Sequence, residues 1–428
     1  MRRLLAAGLV VTGLAVAVLV VFAAATGSLT SGYVWVLLAF VGGGGFFSGV
    51  NLTRAHALPP GASPRALPQE TAPSRPLSAY HWLHLSDIHF GTRGRAEWTQ
   101  LVDDFERDLL KRLPRIGAPI DLILISGDLT DRGTAEQFDG FGIFLDRLMA
   151  LLERETKHRP LVIPVPGNHD LTRPSTPSDA DAEPGEDFWG TQQPGRFAHL
   201  FHGYTSWLES AVLPSLREAP GVEVHRSFFP GDLTVILDDP KRFRLIIVGL
   251  NSAWKHDRDV EEGALALPTE QFHAALPPVP GGYNLDIFPK RGPPRALLMH
   301  HHPPSWLSPT HQEQYLRMIH DPARFTACLF GHMHVPTGSS VSSGGGSLRA
   351  NFQAPSLFGI EHYGTAHQSR ILGYALGRIR SDGEVRLWPF RHQPKQGGSS
   401  RFDKDTTWTW DDHDEHVLLR SGAPTSST

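Results

Sequence analysis

The 428-residue sequence contains a single cysteine, Cys328. No intrachain disulfide can form, which fits a reducing compartment. Cys328 lies in an apolar run and reads as a small buried hydrophobe. Positive charge is not in excess: 40 Lys and Arg stand against 44 Asp and Glu, for a net charge of −4. That balance gives no bulk attraction to nucleic acid, and no nucleic-acid-binding patch is evident. No Gly-x-Ser-x-Gly or activated-cysteine pattern points to a single covalent nucleophile. No internal repeat is visible, which argues against a solenoid or propeller. The longest absence is at the N-terminus, where no Asp, Glu, Lys, Arg or His occurs between Arg3 and Arg54.

That uncharged stretch holds two apolar runs, Leu4 to Thr26 and Tyr33 to about Val50, separated by the polar break Gly27 to Ser31 and Gly32. The first is long enough to cross a bilayer and longer than a signal-peptide core of about 7–15 residues. The alternative is a signal followed by one anchor, with Ala23-Ala24-Ala25 resembling a cleavage site. The second run directly after the first favours a hairpin of two transmembrane helices over residues 1–50. Arg2, Arg3 and Arg54 flank its outer ends and the connecting turn has no charge. The positive-inside rule then places both ends, and everything after them, in the cytoplasm. The expectation is a multi-pass cell-membrane protein holding the bilayer through residues 4–50.

Charge is uneven along the chain. Residues 1–79 carry Arg2, Arg3, Arg54, Arg65 and Arg75 against Glu70, so the remainder is strongly acidic. Residues 51–79 contain six prolines and little apolar bulk, and read as a linker. From residue 80 the pattern changes to alternating apolar runs and helical periodicities. Strands are expected at His81 to Leu85, Asp121 to Ile125 and Leu161 to Val165. Helices are expected through Trp98 to Leu110 and from Thr134 to about Glu153. Strand–helix alternation implies parallel neighbours covered by helices. Further strands are expected at Leu233 to Leu237, Leu245 to Leu250, Ala296 to Met299 and Phe325 to Phe330. Residues 371–388 read as a hairpin turning at Ser381-Asp382-Gly383. Residues 171–230 are rich in Pro, Gly and aromatics and read as a lid-like insert or a disordered excursion. Residues 394–428 read as a polar tail, in which Asp411 to His416 is a solvated cluster.

Five short motifs follow five of the apolar runs. They are Ser86-Asp87-Ile88-His89, Gly127-Asp128-Leu129-Thr130-Asp131-Arg132-Gly133, Gly167-Asn168-His169-Asp170, His300-His301-His302-Pro303 and Gly331-His332-Met333-His334. Each places oxygen or imidazole donors where a strand would end, the position at which open α/β sheets bind ligands. Carboxylate and amide oxygens mixed with imidazoles suit Mn, Fe or Zn. Seven such donors with one shared carboxylate match the needs of two adjacent metals.

All five motifs, in order, resemble those of the calcineurin-like metallophosphoesterases: Asp-x-His, Gly-Asp, Gly-Asn-His-Asp/Glu, a His after an apolar strand, and Gly-His-x-His. The resemblance covers roughly residues 80–393. It implies a four-layer α/β/β/α sandwich and a pair of divalent or trivalent metal ions. In the implied ligand set Asp128 bridges. Asp87, His89 and His334 complete one site, and Asn168, His300 and His332 the other. His300 is chosen among the three histidines because it comes directly after the strand. Two such cations bind phosphate oxygens and deprotonate a bridging water for attack. His169, beside a ligand but outside the set, reads as the general acid. Asp131 resembles the carboxylate that orients this imidazole in the protein-phosphatase branch, and Arg132 the phosphate-gripping Arg of that branch. The competing reading of Asp131 and Arg132 is an N-cap and first-turn pair.

The expected activity is therefore phosphoester hydrolysis, with diesters preferred to monoesters. The Asp-x-His, Gly-Asp-Leu and triple-His motifs also resemble the bacterial cyclic-nucleotide phosphodiesterase branch. A lipid phosphodiester or pyrophosphate is the second substrate class, suggested by the N-terminal hairpin. A non-catalytic membrane scaffold with a vestigial metal site is the third reading, and the complete ligand set counts against it.

Overall fold

The computed structural model describes residues 78–174, 188–189, 193–280, 282–341, 348–359, 362–363, 368–369, 371–393, 401–410 and 417–419. All of them belong to the unit Ser74–Thr428. The expected hairpin over residues 1–50 and residues 51–77 of the expected linker 51–79 lie outside the described residues, while Ala79 already belongs to the first strand. Among the described residues no helix is long and apolar enough to cross a membrane.

The chain forms a mixed α/β fold around two seven-stranded sheets. Its first half supplies β1 (Ala79–Leu85), α1 (Arg95–Ile116), β2 (Leu122–Ser126), α2 (Ala135–Thr156), β3 (Leu161–Val165), β4 (Val222–Arg226), β5 (Leu233–Asp238) and β6 (Arg244–Gly249). The second half supplies β7 (Ala296–Met299), β8 (Ala327–Phe330), β9 (Thr337–Val341), β10 (Arg349–Gln353), β11 (Gly373–Arg380), β12 (Val385–Gln393), β13 (Arg401–Lys404) and β14 (Val417–Leu419). One sheet runs β13–β12–β11–β1–β2–β3, with β14 also on β12; the other runs β9–β10–β8–β7–β6–β5–β4.

The parallel centre of each sheet carries the motifs. β1, β2 and β3 are mutually parallel, as are β6, β7 and β8. Parallel strands end at the same edge, so their following loops converge. β2, β3, β7 and β8 are nearly continuous apolar runs because both faces are covered. Along β6, Leu245 and Ile247 join the large core shared with the first sheet and with α1 and α2. Ile246 and Val248 point into a second core with Phe272, Tyr315 and Ile319. α2 starts where Thr134 Oγ1 accepts from Gln137 N, 3.4 Å away. Thr134, not Asp131, is therefore the N-cap.

Two expectations about the periphery change. The described part of 171–230 is built into the body of the fold. Tyr204 and Trp207 are buried against Phe138 and Phe141 of α2, and Tyr204 Oη donates to Pro164 O at 3.1 Å. Trp189, Phe197, Phe201 and Phe229 form an aromatic core with Trp254. Periodicity missed this because the helical run Phe197–Glu218 is interrupted by a π turn at Leu208–Val212. The segment 394–428 is not wholly a tail either, since β13 and β14 both pair with β12. Three- and four-residue strands are too short for alternation to register. The acidic and histidine cluster at 411–416 lies outside the described residues.

Candidate metal centre

The loops after β1, β2, β3, β7 and β8 meet at one point, and their backbone is bent to do so. Asp87, His89, Asp128, His332 and His334 have φ of 51°, 49°, 52°, 75° and 55°. Each such non-glycine conformation costs on the order of 1–3 kcal/mol and persists only where surroundings over-determine it. Here they do. Asp87 N donates to Gly127 O at 3.0 Å, His89 N to Asp128 O at 2.9 Å, and His332 N to Asp87 Oδ2 at 3.1 Å. Two glycines allow the close approach: a Cβ at Gly127 would overlap the His301 ring, and one at Gly331 would overlap Ser86 and the Asp87 carboxylate.

Three groups of donors result, the smallest contribution at the partly buried edge being His89 with Asp131 and His169. Asp87, His89, Asp128 and His334 each offer one atom within 4.8 Å of the others, all buried. A second group contains His301, His302 and His332. Asn168 joins it, with Oδ1 at 3.0 Å from His332 Nδ1 and 3.2 Å from His301 Nε2. One oxygen reaches both groups: Asp128 Oδ2 lies 3.6 Å from His89 Nε2 and 3.2 Å from His301 Nε2. Its companion Oδ1 accepts from His169 N at 2.8 Å.

The structure corrects the choice of His300. That ring faces away from the cluster, with Nδ1 at 2.7 Å from His302 O and Nε2 at 3.0 Å from Tyr315 Oη and 3.2 Å from Cys328 Sγ. Both nitrogens are thus engaged in the second core. His301 stands in its place. Its Nδ1 donates to Ser126 O at 2.7 Å, which leaves Nε2 facing Asn168 and Asp128. A carbonyl fixing one nitrogen so that the other can ligate is the common pattern at metal-binding histidines. The reason is strand alternation. His300 continues the apolar register of β7 on the face of Leu298, and His301 takes the opposite face.

The electrostatics are those of a cluster built for cations. Burial pushes Asp87 up to about 6, with the Asp128 charge adding to the rise and His301 opposing it. Asp128 is also penalised by burial, but His301 and His169 hold it well below the usual carboxylate range. Burial works against the His301 charge, yet Asp128 and Asp87 raise it to about 9. Burial lowers His332 and His302 well below the usual imidazole value, so both present lone pairs. Asp87 Oδ1 and His302 Nε2 are buried without a hydrogen-bond partner. Two inaccessible carboxylates surrounded by lone-pair donors fit divalent cations.

Around this cluster the remaining expected residues differ in role. His169 lies at its edge, its ring 4.7 Å from that of His89. Its Nδ1 is held by the backbone carbonyl of Asp131 at 2.9 Å, while the Asp131 carboxylate is 3.8 Å away. Arg132 is outside the cluster; its side chain is 79% exposed and pairs with Asp131 at 3.3 Å.

Four supporting residues were not assigned from sequence. Asp170 ties two motif loops together, accepting from Gly167 N, Leu129 N, Thr130 N and Thr130 Oγ1 at 2.9–3.1 Å. Ser252 Oγ accepts from His301 N at 3.2 Å and His302 N at 3.0 Å, which sets the triple-histidine turn. His256 stacks on His302, with centroids 4.7 Å apart. Ser356 Oγ donates to Asp87 O at 2.8 Å. Asp170 closes the Gly-Asn-His-Asp motif, so it was visible there; the other three lie in unremarkable sequence.

The family comparison agrees with this geometry. Residues 80–336 match the calcineurin-like phosphoesterase family, and the chain belongs to it. It carries a metallophosphoesterase domain, the class of metal-dependent phosphoester hydrolases. Among solved structures it is similar to a purple acid phosphatase from yellow lupin (Lupinus luteus) seeds, at 11% identity and TM-score 0.38, covering 77% of this chain and 54% of that one. It is also similar to PhoD, at 12% identity and TM-score 0.42, covering 83% of this chain and 73% of that one. The chain thus spans about half the length of the lupin phosphatase. No curated protein matches.

Proposed function

We propose that this chain is a dinuclear-metal phosphodiesterase, held at the membrane by residues 4–50 with its catalytic unit in the cytoplasm. The observation that carries the two-metal reading is Asp128, whose single oxygen Oδ2 lies within 3.6 Å of donors from both groups. Asp87, His89, Asp128 and His334 would hold one ion. Asp128, Asn168, His301 and His332 would hold the other, with His302 at its margin. When bound, such a pair neutralises phosphate oxygens and supplies a hydroxide at neutral pH. Mn, Fe or Zn suits the donors.

The chain's own residues do the rest. Nδ1–H of His169 donates to Asp131 O, which directs Nε2 as the proton-carrying atom towards the leaving oxygen. Its place at the cluster's exposed edge lets it exchange protons with solvent between turnovers. In this arrangement the Asp131 carbonyl orients the imidazole, and Arg132 is free to swing toward a bound phosphate from the surface. Preference for diesters rests on the resemblance of the Asp-x-His, Gly-Asp-Leu and triple-His motifs to the cyclic-nucleotide phosphodiesterase branch; the acid itself serves an alkoxide leaving group of either ester class.

The test is hydrolysis of matched aryl phosphodiesters and phosphomonoesters by the full chain, with Mn, Fe, Zn or Mg restored after chelation. Faster diester turnover that vanishes on chelation is expected. Monoester preference would reject the diester assignment, and metal-independent turnover would reject the centre. For topology, a reporter active only in the cytoplasm, fused after residue 60, should be functional. An exterior signal from that fusion would reject the hairpin, and cytoplasmic nucleotides would cease to be candidate substrates.

A further inference from the structure

The outer strands of the first sheet, β11, β12 and β13, carry a cluster of basic and aromatic side chains separate from the motif residues. β1 enters the fold at Ala79 and reaches the metal centre only after Leu85. Its first residues pair with the basic end of β11, Ala79 with Arg380 and His81 with Arg378. α1 leaves the metal-centre end at Arg95 and runs for 22 residues, about 33 Å. Its last turns carry Arg112 onto the outer strands, over the Phe390 ring of β12 and against the Phe402 carbonyl of β13. Between α1, β11, β12 and β13 lies a cleft of about 360 Å³, a size typical of small-ligand sites.

The lining of the cleft is one-signed. Arg112, Arg115, Arg378, Arg386 and Lys404 contribute to it, and among the described residues no carboxylate does. Nearby acids satisfy these cations only in part. Arg112 is committed to the structure: it bonds Asp108 at 3.0 Å and the Phe402 carbonyl at 2.8 Å, and lies over the Phe390 ring. Arg378 and Arg386 share one carboxylate oxygen with Arg380, which lies outside the cleft and also pairs with Asp382. Glu384 Oε1 is 2.6 Å from Arg386 Nε, 3.2 Å from Arg380 Nη1 and 3.6 Å from Arg378 Nη2. Arg378 Nε is buried and has no hydrogen-bond partner. Burial lowers the Arg378 pKa and the neighbouring Arg386 charge lowers it further, with Glu384 opposing. An anion in the cleft would relieve that repulsion.

Aromatic surface completes the cleft. Trp388 and Trp410 line it, and Lys404 Nζ lies 4.7 Å from the Trp410 ring centroid. Guanidinium forks recognise phosphate in bidentate fashion, while indole faces accept flat or apolar groups. We infer that this cleft binds the phosphate group of an organic phosphate, with the attached moiety lying on Trp388 and Trp410. Two sources share that chemistry: a soluble nucleotide and an anionic lipid headgroup. The cleft is distinct from the metal centre, and binding there does not depend on the proposed reaction.

The experiment uses the full chain stripped of metal, which suppresses phosphate binding at the centre. One arm is a calorimetric titration with adenosine 5′-monophosphate. The other is co-sedimentation with phosphatidylglycerol vesicles against phosphatidylcholine vesicles. Each is repeated with Arg386→Gln and with Arg115→Gln, whose exposed side chain can be replaced without disturbing the fold. Binding in either arm, weakened about tenfold or more in both variants, is expected, since a hydrogen bond to a charged group is worth about 1.5–3 kcal/mol. Hydrolysis by the metal-loaded variants should be unchanged. The arm that responds identifies the source. Absence of binding in both arms, or variants that bind as tightly as the parent, overturns the inference.

Discussion

One half of the metal centre brings two carboxylates and two imidazoles, from Asp87, Asp128, His89 and His334. The other brings the Asn168 amide with His301 and His332, and reaches a carboxylate only through Asp128. Anionic oxygens hold a hard cation more strongly than neutral amide and imidazole donors do. Their settings differ as well. The first half is fixed by Ser86, Ser356 and the Gly127 carbonyl around Asp87. The second depends on the triple-histidine turn, which Ser252 gathers by its backbone. On the two-metal reading the first ion is the tightly held one and the second is exchangeable. Several measurements can break that contrast or sharpen it.

The largest effect belongs to the shared residue. Asp128→Ala removes the one carboxylate among the described residues that both halves share, and should cost both ions. Loss of the several kcal/mol that metals contribute to charge stabilisation corresponds to about 10³-fold or more in turnover. Assay of kcat alongside elemental analysis checks it; retention of two ions would dissolve the bridge. Next come the neighbouring histidines. His301→Ala should lose the second ion and nearly all activity. His300→Ala should keep both ions and instead lose stability, by about 2–4 kcal/mol for a buried, hydrogen-bonded ring. The reverse outcome in thermal unfolding and metal content would restore His300 to the site.

His169→Ala should retain metal and lower turnover by roughly 10²–10⁴-fold. The loss should shrink for substrates with very acidic leaving groups. Equal loss for aryl and alkyl leaving groups would argue against acid catalysis. The smallest effect is pH-dependent. In the metal-free chain His301 is raised to about 9, so an incoming ion must displace its proton. Affinity of the second half should therefore climb by up to about tenfold per pH unit from neutrality and level off above 9. The same raised pKa stabilises the metal-free fold below the ordinary histidine value of about 6.5, and that contribution fades as pH rises through 9. Competition with a chelator across pH checks the affinity, and a flat profile would count against the His301–Asp128 pairing.

Much of this architecture was legible in the sequence because β2, β3, β7 and β8 are nearly continuous apolar runs that lead into motif residues. Leu161–Val165 and Ala296–Met299 match their expected spans. What was not legible follows from geometry that spacing cannot encode. Whether His300 or His301 enters the cluster depends on which face of β7 turns inward, and three consecutive histidines offer no contrast to decide it. The glycine of the Gly-His-x-His motif is not where the backbone takes its unusual turn. It is His332 that has the positive φ, and Gly331 serves to let Ser86 approach. Asp131 orients His169 through its carbonyl, an atom every residue possesses, so no side-chain motif could reveal it. Ser252 acts from a loop with no signature at all.

The most direct measurement is the metal content of the active, full-length chain set beside that of its His301→Ala variant. Near two ions per parent chain and near one in the variant, with the remaining ion resistant to chelation, is the predicted result. A fully active parent carrying one ion, or a variant that still holds two, would contradict the account.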